Sequence, residues 1–90
     1  MIKTAHLLIK GRVQGVYYRA SARDMARKFG LTGWVQNTDA GEVEMKVTGE
    51  EQVFDQFIDW CKIGPPNARV DEVTVMDSSL SFFDKFEIRR

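Results

Sequence analysis

The chain has 90 residues and a formal net charge of zero, and 43% of its residues are hydrophobic. This length predicts one domain over residues 1–90 with a single core. The balanced charge gives no electrostatic basis for binding nucleic acid or an anionic membrane surface. No apolar run has the length of a membrane span, and residues 1–5 lack the apolar stretch of a signal peptide. We therefore expect no nucleic-acid or membrane partner and a cytoplasmic location.

The first elements are a predicted strand over residues 7–11 and a predicted helix over residues 19–29. In the strand, apolar residues alternate with more polar ones, and His6 is expected to be exposed on the polar face. In the helix, apolar residues recur at helical spacing until Gly30 ends the pattern.

A hairpin is predicted next, with strands over residues 31–37 and 42–48 and a turn at residues 38–41. Apolar and charged residues alternate in the second strand, so one face of the sheet is expected to be wet.

A second helix is predicted to begin at Thr48 or Gly49 and to end before Pro65. Thr48 and Glu51 have the spacing of a capping box. Its apolar stripe includes Cys61, the only cysteine, which we interpret as a core residue without a disulfide partner.

Strands over residues 70–77 and 86–88 complete a βαββαβ order. The economical packing of this order is an α+β, ferredoxin-like sandwich, with two helices on one face of an antiparallel sheet. This arrangement hosts unrelated functions, so a function must be argued from a site.

The loop between the first strand and the first helix has the composition of a phosphate site. Gly11 and Gly15 allow the backbone N–H groups to turn inward, and the helix that follows adds unpaired donors and a positive dipole end. Arg19 would hold a phosphoryl group through two hydrogen bonds at once. Two glycines four residues apart are more often turn chemistry, so this loop alone leaves both interpretations open.

Three segments together resemble the acylphosphatase family. The pattern Gly-x-Val-Gln-Gly-Val-x-Phe/Tyr-Arg is matched at residues 11–19, and Gly-Trp/Tyr-Val-x-Asn followed by Gly-x-Val-Glu is matched at residues 33–44. Residues 64–70 match Gly-Pro-Pro-x-Ala-x-Val, and residues 86–89 are similar to the closing strand of the family. The chain departs from many members at Ala40, which stands where they have Asp at the tip of the hairpin.

The resemblance implies an acylphosphatase, an enzyme that hydrolyses the carboxyl-phosphate bond of acyl phosphates to a carboxylate and phosphate by direct attack of water. It implies two catalytic residues: Arg19 clamps the phosphoryl group, and the Asn37 amide positions the water. Thr38 is expected to support Asn37 or the water. The implied phosphate-binding loop consists of Val13, Gln14, Gly15, Val16, Tyr17 and Tyr18. Gln14 is expected to contact either the ligand or the backbone of its own loop, and both tyrosines are expected to pack around the pocket.

No metal or other cofactor is expected, because the sequence has one histidine, one cysteine and none of the usual metal-ligand spacings. No nucleophile-base pair is evident either, so we expect no phosphoenzyme. The expected partners are a small-molecule acyl phosphate and inorganic phosphate, the latter as product and competitive inhibitor. The alternative is a noncatalytic phosphate-binding or anion-binding regulatory domain that keeps the loop and Arg19 without turnover. Asn37 favours the enzyme, since a regulatory domain has no need of a water-positioning amide.

Overall fold

The computed structural model describes residues 1–89. The elements in chain order are β1 (Ile2–Arg12), α1 (Tyr18–Lys28), β2 (Thr32–Asn37), β3 (Val43–Glu50), α2 (Glu51–Ile63), β4 (Arg69–Ser78) and β5 (Phe86–Ile88). The strands form one sheet in the order β4-β1-β3-β2-β5, and the two helices pack on it and on each other. The predicted α+β, ferredoxin-like arrangement is confirmed.

The closing strand differs from the prediction of an antiparallel sheet. It pairs in parallel with β2, with Gly33 opposite Phe86 and Val35 opposite Ile88, whereas the other strand pairs are antiparallel. The reason is topological: β4 lies at one edge of the sheet, and the chain crosses over residues 79–85 to the other edge. The sheet is therefore mixed, and β5 adds a fifth strand to the βαββαβ order.

The predicted capping box at the start of the second helix is wrong. The N-cap of α2 is Glu50, which makes no side-chain cap hydrogen bond, and Thr48 lies within β3. Thr48 is buried, its hydroxyl shares a 2.6 Å hydrogen bond with that of Thr4, and it donates to Ser81 O at 2.7 Å. Thr48 thus holds the chain after β4 against the sheet instead of capping a helix.

The core lies between the sheet and the helices. Its buried apolar side chains come from every element except β4, as in Leu7, Val35, Met45, Phe57 and Phe86. Cys61 is a free thiol in this core, as predicted, and burial raises its pKa to about 12.

The outer face of the sheet carries charged residues such as Glu44 and Lys46 beside apolar ones such as Leu8 and Trp34. His6 lies there as predicted, but it is only partly exposed because its Nε2 forms a 2.6 Å contact with Glu44 Oε2. No helix within residues 1–89 is both long and apolar enough to cross a membrane.

Candidate active site

The loop after β1 is held by buried side chains, and two of its residues have a left-handed backbone conformation. Val13 and Val16 are buried in the core, which fixes the path of the chain. Gly15 has φ 75°, and Tyr17, the N-cap of α1, has φ 66° and ψ 22°. Left-handed residues within a tight loop turn successive N–H groups into a concavity that suits an anion.

The backbone donors of this loop are unpaired. Between Gln14 and Ala20, no N–H group donates a hydrogen bond to another residue within 1–89. The first paired donor is Ser21 N, which bonds to Tyr17 O at 3.1 Å. The loop and the first turn of α1 therefore present a row of free donors at the positive end of a helix dipole.

Arg19 is in the first turn of α1 and is partly exposed. The arginine hydrogen bonds and ion pairs among residues 1–89 are made by Arg23, Arg27 and Arg69, and they leave the guanidinium of Arg19 free. Arg19 is therefore available to bind an anion.

Asn37 is the last residue of β2. Its Oδ1 is buried and has no hydrogen-bond partner, the only such side-chain atom within residues 1–89. An unsatisfied buried acceptor costs about 1–3 kcal/mol, so this atom favours the binding of a donor such as water.

Arg19 and Asn37 face one cavity. Its volume is about 370 Å³, and it is lined by Val13, Gly15, Tyr17, Tyr18, Arg19, Ala20, Asn37 and Ile88. The structure thus brings both predicted catalytic residues together with part of the predicted loop. It does not place the predicted site residues Gln14, Val16 and Thr38 on the cavity wall.

Gln14 and Thr38 connect the two halves of the site. Gln14 Nε2 donates to Thr38 O and to Glu42 O, both at 2.8 Å, across the hairpin turn. Within that turn Thr38 N donates to Glu42 O at 2.9 Å, and Glu42 N donates to Thr38 Oγ1 at 3.1 Å. Gln14 therefore ties the loop before Arg19 to the turn after Asn37.

Tyr18 has a structural role at the base of the cavity. Its hydroxyl donates to Cys61 O at 2.7 Å, and its ring centroid is 5.5 Å from that of Trp60. Burial raises the pKa of the Tyr18 phenol well above its ordinary value. The phenol stays neutral at ordinary pH and joins the start of α1 to the end of α2.

Ile88 and Ala20 also line the cavity, although neither residue was predicted to belong to the site. Ala20 follows Arg19 in the first turn of a helix, and that position could have indicated its place. Ile88 reaches the cavity through the parallel pairing of β5 with β2, which local sequence does not show. Within residues 1–89 no group of three or more His, Cys, Asp or Glu side chains is placed to hold a metal ion.

The sequence profile of the acylphosphatase family matches residues 5–88. The chain belongs to the acylphosphatase family. An acylphosphatase from Haloquadratum walsbyi is 48% identical over 86 residues, which are 96% of this chain and 92% of that protein. The crystal structure of acylphosphatase from Bacillus subtilis has a TM-score of 0.94 at 35% identity, with complete coverage of both chains. An acylphosphatase from Coxiella burnetii has a TM-score of 0.94 at 34% identity, over 98% of this chain and 93% of that one.

Membership of the acylphosphatase family confirms the activity that the resemblance implied. The chain is an acyl phosphate hydrolase, and its substrates are small molecules that carry an acyl phosphate. The alternative of a noncatalytic phosphate-binding domain is not favoured.

Proposed function

We propose that this acylphosphatase hydrolyses its substrates by direct attack of water on phosphorus, with Arg19 and Asn37 as the catalytic residues. The observation that carries the proposal is the Asn37 side chain, which lines the same cavity as Arg19. Within the described residues 1–89, neither its buried Oδ1 nor the Arg19 guanidinium has a partner. An acyl phosphate is a mixed anhydride with a good leaving group. Its hydrolysis therefore depends mainly on orientation and on stabilisation of charge.

In this mechanism the phosphoryl group sits in the loop. The free N–H groups between Gln14 and Ala20 bind its oxygens, and Arg19 binds two of them through its planar fork. These donors are in place before the substrate arrives, so charge that develops on the phosphoryl oxygens is stabilised without reorganisation.

Asn37 acts on the water. Its Oδ1 accepts a hydrogen bond from the water and thereby holds a lone pair toward phosphorus. As the new P–O bond forms, the bond to the acyl oxygen breaks and the carboxylate leaves with the electron pair. The cavity wall formed by residues 1–89 has no His, Asp or Glu side chain, so we assign the proton of the water to a phosphoryl oxygen of the substrate.

The proposal also covers the cofactors, the inhibitor, the partners and the cellular location of the enzyme. Residues 1–90 act as one domain without a metal or cofactor, and inorganic phosphate is both product and competitive inhibitor because it fits the same donors. The zero net charge supports a protein without nucleic-acid or membrane partners, and the free thiol of Cys61 is compatible with the reducing cytoplasm.

The test is Asn37→Ala, assayed with a chromogenic acyl phosphate. We expect kcat to fall by about two orders of magnitude, while the inhibition constant of phosphate changes less than about threefold. Gln36→Ala is the matched control, because Gln36 is the neighbouring residue of β2 on the other face of the sheet. It is expected to keep the parental kcat.

Circular dichroism establishes that both variants are folded. A folded Asn37→Ala protein with parental kcat would refute the role of Asn37. A parent that binds phosphate without turnover would instead indicate a regulatory domain.

A further inference from the structure

The cavity is larger than the phosphoryl group requires. Its volume of about 370 Å³ corresponds to roughly twelve water molecules at about 30 Å³ each, whereas a phosphate has five heavy atoms. In the proposed mechanism Arg19 binds the phosphoryl group and Asn37 binds the attacking water, and both line this cavity. The remainder of the wall includes the side chains of Tyr17, Ala20 and Ile88.

Tyr17 is an aromatic residue that does not contribute to the core. It is 81% exposed, whereas the neighbouring Tyr18 is 1% exposed and fully engaged in the core. Within residues 1–89 Tyr17 makes no side-chain hydrogen bond and no aromatic pair, and it is the only residue other than glycine with positive φ. Such a backbone conformation is unfavourable for an L-residue and concentrates at functional sites. The side chain is held at the cavity at a cost in stability.

Ile88 supplies a second apolar surface from a different element. It lies on β5, is partly buried and packs against the core, so its position is fixed by the sheet. Among residues 1–89, Arg19 is the only charged residue on the cavity wall, and it binds the phosphoryl group in the proposed mechanism. A charged acyl group would lose hydration here without gaining a partner, whereas an apolar one would gain contacts.

We propose that Tyr17 and Ile88 form a subsite for the acyl group, and that this subsite selects substrates with an apolar acyl group of about the size of benzoyl over acetyl and over acyl groups with a second carboxylate. This inference rests on the proposed function, because it assigns the polar part of the cavity to the phosphoryl group. In this subsite the aromatic ring of Tyr17 provides the larger apolar surface, and Ile88 contributes a second one from β5.

The experiment compares kcat/KM for benzoyl phosphate, acetyl phosphate and succinyl phosphate. We expect the parent to prefer benzoyl phosphate over each of the others by at least about tenfold. In Tyr17→Asn, where Asn tolerates the left-handed backbone, the preference for benzoyl over acetyl falls about fivefold, mainly through KM. The kcat/KM for acetyl phosphate is expected to fall less than that for benzoyl phosphate, because the acetyl group is too small to use the ring of Tyr17.

Further variants separate a contact from a general effect. Tyr17→Phe keeps the ring and is expected to keep the preference, and Ile88→Ala is expected to lower it. Phe82→Asn is the matched control, because Phe82 is 74% exposed but lies outside the cavity, and it leaves the preference unchanged.

The results that overturn the subsite are distinct from those that overturn the mechanism. An unchanged preference in Tyr17→Asn and Ile88→Ala contradicts the subsite, as does an equal loss for benzoyl and acetyl phosphate, which would mark Tyr17 as a loop-shaping residue. A parent that hydrolyses all three compounds equally well also contradicts it. A parent that hydrolyses none contradicts the proposed function itself.

Discussion

Gln36 and Asn37 are neighbours on β2, but their side chains differ in hydrogen bonding. Strand geometry points them to opposite faces of the sheet. On the outer face, Gln36 Nε2 donates to Glu44 Oε1 at 2.7 Å, and the other oxygen of Glu44 contacts His6. On the cavity side, Asn37 Oδ1 has no hydrogen-bond partner in the described part of the chain. The outer cluster satisfies its own polar groups and stabilises the sheet, whereas the cavity keeps a polar group available for a ligand.

The same contrast exists along α1. Arg27 donates through Nε and one terminal nitrogen to Phe86 O, at 3.1 and 2.9 Å, and so fastens the helix to β5. Arg19, at the other end of the helix, lines the cavity and has no such acceptor among residues 1–89. In this molecule the role of an arginine thus depends less on its residue type than on whether its side chain is hydrogen-bonded within the fold or left free at the cavity.

Replacement of the free arginine is expected to have the largest effect. Arg19→Lys keeps the charge but loses the two-point fork, so we expect kcat/KM to fall about a hundredfold and phosphate to lose most of its power to compete. The measurement is the inhibition constant of inorganic phosphate in parent and variant.

Arg23→Lys is the matched control for this change. Arg23 lies one turn further along α1, where it contacts the exposed Asp24, and its replacement is expected to alter kcat/KM by less than about twofold. Equal phosphate inhibition in the parent and in Arg19→Lys would show that Arg19 is not the clamp.

Gln14 allows a test of whether the two halves of the site must be held together. Gln14→Leu removes both hydrogen bonds to the hairpin turn, each of which contributes about 1 kcal/mol, and leaves Asn37 less well placed. We expect kcat to fall about tenfold with a smaller change in phosphate inhibition. Gln36→Leu loses a hydrogen bond on the outer face and is expected to keep its kcat. An equal fall in both variants would indicate a loss of stability instead of a loss of positioning.

The smallest effect is expected in the outer cluster, and it depends on pH. The hydrogen bond with His6, and then that with Gln36, lowers the pKa of Glu44 from its ordinary value of 4.5. A carboxyl group with a lowered folded pKa stabilises the native state above its unfolded pKa, and this contribution is lost as the pH falls through the folded value. Glu44→Gln is therefore expected to reduce the free energy of unfolding by about 0.5–1 kcal/mol at pH 7 and by less below about pH 4.

Urea unfolding at both pH values measures this difference. Glu72→Gln, at a 61% exposed carboxylate beside Lys10, is the control with the smaller expected change. If Glu44→Gln reduces the free energy of unfolding at low pH as much as at pH 7, the lowered pKa of Glu44 is not the cause. Turnover is expected to be unaffected in both variants.

Much of the fold was accessible from the sequence because alternation and helical spacing are local signals. They predicted the order of elements and the core position of Cys61. The capping box failed because Thr48 and Glu51 satisfy that spacing while Thr48 is paired with Thr4 in the sheet. The parallel pairing of β5 could not be predicted from three residues, since strand direction there depends on the crossover that precedes it.

The site could be predicted from the sequence at positions where the backbone conformation or a close contact requires glycine. Gly15 has positive φ, and a Cβ on Gly33 would collide with the Lys46 carbonyl oxygen, so both positions favour glycine within the family pattern. The family patterns at residues 11–19 and 33–44 identified Arg19 and Asn37 as catalytic candidates. They gave no indication that Gln14 bonds to the turn, nor that Ile88 closes the cavity, since both facts depend on contacts between distant segments.

The attachment of β5 has a consequence for the order in which the cavity is assembled. Its three residues pair with β2 across more than half the chain, and the bonds at its ends run from Gly33 N to Lys85 O and from Arg89 N to Val35 O. Closing so distant a contact costs more chain entropy than closing the β2-β3 hairpin, so this pair is expected to form later and to open earlier. In that order of assembly the loop and Asn37 are expected to be in place first, and Ile88 is expected to join them when β5 pairs with β2. A partly folded chain would then have its phosphate-binding half in place while the wall that faces the acyl group is still missing.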